Sequence, residues 1–105
     1  MIAEILKQVP GGAWHARCPA PPATTYAIYF DDVEADGPDN MNLIFHHNVT
    51  VELYEPTRDN ATEAAIEAEL NARGIHWTRQ SQYWLKAIQR YQTIYEFTYI
   101  EKRSE

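Results

Sequence analysis

The clearest period in the chain runs from residue 41 to residue 53. Met41, Leu43, Phe45, His47, Val49, Val51 and Leu53 take the odd positions. Asn42, His46, Asn48, Thr50 and Glu52 take the even ones, with Ile44 the exception. Period two over such a stretch predicts a long strand with one buried face, bending or bulging near His46-His47 where the branched run is interrupted. Residues 25–33 predict a second strand, with Tyr26, Ile28 and Phe30 on one side and Ala27, Tyr29 and Asp31 on the other. Residues 91–100 predict a third, with Tyr91, Tyr95, Phe97 and Tyr99 on one face, and residues 75–83 a fourth, carrying Ile75, Trp77 and Tyr83. Residues 84–90 link these last two through a helical turn, residues 13–18 give a further short strand, and residues 101–105 a solvated tail.

Two segments change to a helical period. Ile2, Ile5, Leu6 and Val9 form one apolar stripe, ended by Pro10-Gly11-Gly12. After the turn at residues 55–59, Asn60-Ala61-Thr62-Glu63 fits a capping box with Asn60 as the cap. The helix then runs to about Arg73, with Thr62, Ala65, Ile66 and Leu70 as its stripe and Gly74 as the left-handed residue beyond its end. Pro19, Pro21 and Pro22 keep the connector before residue 25 extended. Connections this short leave little room for parallel crossovers, and each helix has a single apolar stripe. The expected fold is therefore α+β: a two-layer sandwich, with a mostly antiparallel sheet of four to five strands and two helices on one face. Val49, Val51 and Leu53 should pack with Tyr95 and Phe97 under Ile66 and Leu70.

With 105 residues the chain makes one domain, 1–105, and 45% hydrophobic with 23% charged residues is the balance of a folded one. The net charge of −6 argues against a nucleic-acid reader and against docking on anionic lipid. A lone cysteine, Cys18, excludes an internal disulfide framework. The first ten residues do not have the composition of a signal peptide, and no apolar run reaches the ~18 residues of a membrane span, so a reducing cytoplasm is expected.

Candidate chemistry is sparse. Residues 31–42 read as an acidic polar loop with Asp31, Asp32, Glu34, Asp36 and Asp39, plus Gly37-Pro38. Its first half imitates a calcium loop, but Leu43 stands where a bidentate Glu is needed. His46 and His47 are adjacent on a strand and point apart, so they do not share a metal. Nothing in the sequence around Cys18 activates it, no serine sits in a nucleophile elbow, and no glycine-rich phosphate loop occurs. No cofactor and no enzyme activity are expected. The aromatics, 3 Trp, 7 Tyr and 3 Phe, are many for one small core, which favours a surface completed by other subunits. Tyr29 and Tyr54, assigned to faces opposite the core, and Trp84 are the candidate subunit contacts.

Three stretches resemble the small tail-completion proteins of long-tailed bacteriophages, also called tail-terminator or tail-to-head joining proteins. They are the Pro-rich lead into an apolar strand, Pro21-Pro22-Ala23-Thr24-Thr25-Tyr26-Ala27-Ile28-Tyr29; the strand Asn48-Val49-Thr50-Val51-Glu52-Leu53-Tyr54 with its following turn and Glu-rich helix; and the last strand, Tyr91-Gln92-Thr93-Ile94-Tyr95-Glu96-Phe97. Between the first two lies Asp36-Gly37-Pro38-Asp39-Asn40, where such proteins carry an acidic loop. The resemblance spans about residues 20–100. It implies a non-enzymatic virion protein, assembled in the bacterial host cytoplasm, that forms a ring, usually a hexamer, at the head-proximal end of the tail tube. Its partners would be its own copies, the tail tube protein and a neck or head-completion protein, with double-stranded DNA passing through unbound. The acidic residues 31–39 would face the lumen or the tube. Two alternatives are a head-closure or connector protein of the same neck, and a small ligand- or calcium-binding domain built on the acidic loop.

Overall fold

The period-two stretch forms the central strand of the sheet. In the computed structural model, which describes residues 1–36 and 42–104, β3 (Asn42–Glu55) lies between β2 (Tyr26–Asp36) and β6 (Arg90–Ser104), antiparallel to both. The sheet order is β1-β2-β3-β6-β4, with β1 (Ala13–His15) parallel to β2, and with β4 (Trp77–Arg79) and β5 (Tyr83–Leu85) both antiparallel to β6. Among the described residues the sheet has six strands, against an expected four to five. The expected strand at residues 75–83 is split: β4 and β5 are separate short strands along one edge of β6. Tyr83 consequently leaves the core face and is exposed.

Further features differ from the sequence expectation. Asp31, Asp32, Glu34 and Asp36 lie in β2 and not in a loop, paired in order with Val49, Asn48, His46 and Ile44. Asp32, Glu34 and Asp36 share the side away from the helices, so their carboxylates stay wet while the backbone gains ladder hydrogen bonds. Asp39 lies outside the described residues. Residues 101–104, expected as a solvated tail, continue β6 and pair from Glu101↔Phe45 to Ser104↔Asn42. Neither register shifts anywhere along β3, so there is no bulge at His46-His47 among the described residues. His47 keeps the alternation because its ring finds acidic partners on the buried side.

Both helices lie on one face. α1 (Ile2–Ile5) is a single turn, shorter than residues 1–9, but Ile2, Ile5, Leu6 and Val9 are all buried as its stripe predicts. α2 (Asn60–Ala72) is capped by Asp59, one residue before the expected Asn60. The Asp59 carboxylate accepts the Thr62 N–H at 3.1 Å and its hydroxyl at 2.6 Å, and takes the Thr25 hydroxyl at 2.9 Å, tying the helix start to the residue preceding β2. At the other end Gly74 has φ +68°, and Ile75 N–H bonds back to Leu70 C=O at 3.0 Å, the 6→1 closure of a Schellman turn. The core between the layers joins Ile2, Ile5, Leu6, Val9, Ile66 and Leu70 to Ala27, Val49, Val51, Leu53, Tyr95 and Phe97. Val49 is opposite Phe97 and Val51 opposite Tyr95, as the strand periods require.

A candidate assembly surface

The helices cover one face of the sheet and leave the other bare. Strand alternation places Tyr26, Ile28, Phe30, Asp32, Glu34 and Asp36 of β2 on the bare face. Beside them lie Thr50, Glu52 and Tyr54 of β3 and Ile94, Glu96, Ile100 and Lys102 of β6. The long strands stretch the molecule to 50 × 28 × 22 Å, and the far halves of β2, β3 and β6 form a three-stranded arm.

Of the three aromatic candidates, Trp84 is exposed, at 46%, and meets Tyr91 edge-on at 4.8 Å. Tyr29 is on the helix face and half-buried against the core, because it pairs with Val51, whose side chain points inward. Tyr54 does sit on the bare face but is buried there: its ring stacks on Tyr26 at 5.1 Å and its hydroxyl donates to Glu52 at 2.8 Å. Burial, with that carboxylate acceptor, pushes the Tyr54 hydroxyl up to about 12. The exposed large apolar residues include Phe30, Val33 and Ile100 on the arm, which sequence reasoning passed over. The signal was present in the even-numbered Phe30 and Ile100, but it required knowing that residues 30–36 and 98–104 stay in strands.

Charge divides between the faces. On the helix side Arg79 pairs with Glu63 and Glu67, Arg73 with Glu4 and Glu69, Lys7 with Glu69, and Arg103 with Glu101. On the bare face Asp32, Glu34, Asp36, Glu52 and Glu96 have no cation within ion-pair distance among the described residues. Arg90, at the other end of β6, is occupied with backbone carbonyls, donating to Pro22 at 3.2 Å and Gln89 at 3.0 Å. The bare face is therefore acidic. A shallow groove of about 310 Å³ reaches from Asp32 across Thr50 and Glu96 to Thr78 and His76.

Two buried polar clusters brace the sheet. At the arm's root His47 Nδ1 is 3.0 Å from the Asp31 carboxylate and Nε2 is 2.9 Å from Glu101, with the ring stacked on Tyr99 at 4.2 Å. Burial alone lowers an imidazole pKa, but the hydrogen bonds His47 makes to the Glu101 and Asp31 carboxylates, with their negative charge, outweigh it and raise the His47 value. Both ring nitrogens then donate, which is the imidazolium form. At the opposite end Glu55, fully buried, accepts the Asp59 N–H at 2.6 Å and the Thr93 hydroxyl at 2.8 Å, with Gln82 at 3.2 Å. Burial and the neighbouring Glu63 hold its carboxyl well above the ordinary carboxylate range. Among the described residues no group of three or more His, Cys, Asp or Glu side chains is placed to hold a metal ion. Asp32, Glu34 and Asp36, spaced along an extended strand, do not converge as a calcium loop would. No helix among the described residues is long and apolar enough to cross a membrane.

The geometry defines a two-layer α+β protein with one bare acidic sheet face and a protruding arm. No protein-family model matches the chain, and no curated protein matches it. Among solved structures the chain is similar to one from the virion of the native gene transfer agent (GTA) particle. The match has a TM-score of 0.53 and 15% identity, and covers 92% of this chain and 81% of the other. At that identity the likeness is one of fold, and it extends over nearly the whole chain.

Proposed function

We propose that the protein is a non-enzymatic structural component of a phage-like virion, and within it a tail-terminator protein: a ring, with six copies the expected number, at the head-proximal end of the tail tube. The observation that carries this reading is the bare sheet face, acidic and partly apolar, on a fold shared with a chain from a gene transfer agent virion. An isolated domain gains nothing by leaving Phe30, Ile100 and Tyr83 in water, whereas a subunit covers them on assembly. A ring around passing DNA needs an inner wall that does not hold phosphate. Asp32, Glu34, Asp36, Glu52 and Glu96 on one face supply such a wall by repulsion. Partners on this reading are the protein's own copies, the tail tube protein and a neck protein, and the site of action is the tail–neck junction of the virion.

Deleting the gene in its parent particle tests the proposal by electron microscopy of the lysate. The expected result is unjoined heads beside tails of uncontrolled length. Particles of normal tail length, joined to heads, would overturn it. Joined heads on tails of irregular length, or the reverse, would separate the terminator role from that of a neck connector.

A further inference from the structure

We propose that the free edge of β2 in one copy pairs with the free edge of β6 in the next, so that the arms of successive copies form one continuous sheet. This rests on the reading of the protein as a ring subunit and names the surface that closes it.

The two edges are defined by what does not cover them. β1 pairs with β2 only from Ala27 to Tyr29, so residues 30–36 have β3 on one side and no strand on the other among the described residues. β5 and β4 pair with β6 at residues 90–92 and 95–97, leaving residues 98–104 with β3 alone. Both edges therefore present unpaired N–H and C=O groups over about the same length and at the same end of the molecule. Neither edge is broken by a proline or by a shift of register, two of the usual protections of an exposed strand. Each also carries apolar side chains left in water: Phe30 at 38% and Val33 at 48% on β2, and Ile100 at 59% on β6.

Charge selects which edges meet. Two β2 edges brought together would set Asp32, Glu34 and Asp36 against the same carboxylates. Two β6 edges would set Lys102 near Lys102, while Arg103 is already neutralised by Glu101. Only β2 against β6 is complementary. Because β2 and β6 are both antiparallel to β3, they run parallel to each other, and neighbouring arms can join in parallel by rotation about an axis along the strands. Asp36 and Lys102 are level, both opposite Ile44, and share the bare face. Before any stagger, Asp36 of one copy abuts Lys102 of its neighbour. An interface between two different patches is heterologous, so it propagates from copy to copy, and it closes as a ring when the rotation per copy divides a full turn. The acidic face becomes one wall of that ring.

A charge-swap experiment tests this. The variants Glu34→Lys/Asp36→Lys and Lys102→Glu alter exposed side chains, and their melting temperatures should equal that of the wild-type protein. Each is examined by native mass spectrometry at high concentration and by electron microscopy on purified tail tubes. Each alone should assemble at least about tenfold more weakly than wild type, because like charges meet at every joint. Mixed in equal amounts, they should recover assembly as alternating rings, since every joint is again complementary. If both variants form wild-type rings alone, or the mixture fails to recover, the edge pairing is wrong although the ring reading stands. If the wild-type protein itself forms no ring on tubes, the ring reading has failed.

Discussion

At the residue scale the titrating side chains set an unusual pH response. Among the described residues His47 is the one histidine engaged by two carboxylates, and folding raises its pKa. Such a group stabilises the folded chain fully below its unfolded value, and the contribution is lost as pH rises through the folded value. Glu55, also raised by burial, acts in the same direction: ionising it in the core costs stability as the pH climbs. Asp59, held low first by the Thr62 hydroxyl, works the other way, and its contribution disappears as pH falls through its depressed pKa. The melting temperature should therefore peak at mildly acidic pH and decline on both sides, measurable by a series of thermal melts. His47→Gln should lower stability by about 1–3 kcal/mol at the optimum and flatten the alkaline decline. A variant that retains the full alkaline slope would place the titration elsewhere, with Glu55 the next residue to test.

At the scale of elements, Leu70 and Thr50 separate the two faces of the sheet. Leu70, fully buried under Val51 and Leu53, should cost roughly 2–5 kcal/mol as Leu70→Ala in a denaturant titration. Thr50→Ala, on the bare face, should cost under about 0.5 kcal/mol in the free protein. A Leu70→Ala protein with wild-type stability would contradict the assignment of the core. This part of the structure was legible in the sequence because burial writes itself as period: the odd positions from His47 to Leu53 marked the inner face of β3, and Ile66 with Leu70 marked the inner side of α2. The arm was not legible. Residues 31–36 and 101–104 are polar enough to read as loop and tail, and they stay in strands because β3 supplies backbone partners to both. Local composition carries no trace of a neighbour that far away in the chain. Tyr29 was misassigned for a related reason: alternation gives two faces, but only the register with Val51 says which is inside. The helix cap moved by one residue because Asp59, Asn60 and Thr62 all suit a cap. The hydrogen bond from Thr25, distant in sequence, favours Asp59.

At the scale of the whole molecule, the sheet face away from the helices has no helix over it among the described residues, and on the proposed function this face lines the lumen while neighbouring copies cover the free strand edges. The same acidic face that would keep DNA moving contributes to the chain's net charge of −6, which opposes non-specific association of free copies. The candidate site is thus a property of the arrangement and not of any motif, so the sequence disclosed its charge and its aromatic excess but not its shape. The most direct test of the central claim is high-resolution electron microscopy of tail tubes incubated with the purified protein. The account predicts a closed ring of copies at one end of each tube, bare sheet faces toward the lumen, with further tube growth arrested. Tubes that keep growing with no density at either end, and protein that remains monomeric in solution, would contradict it.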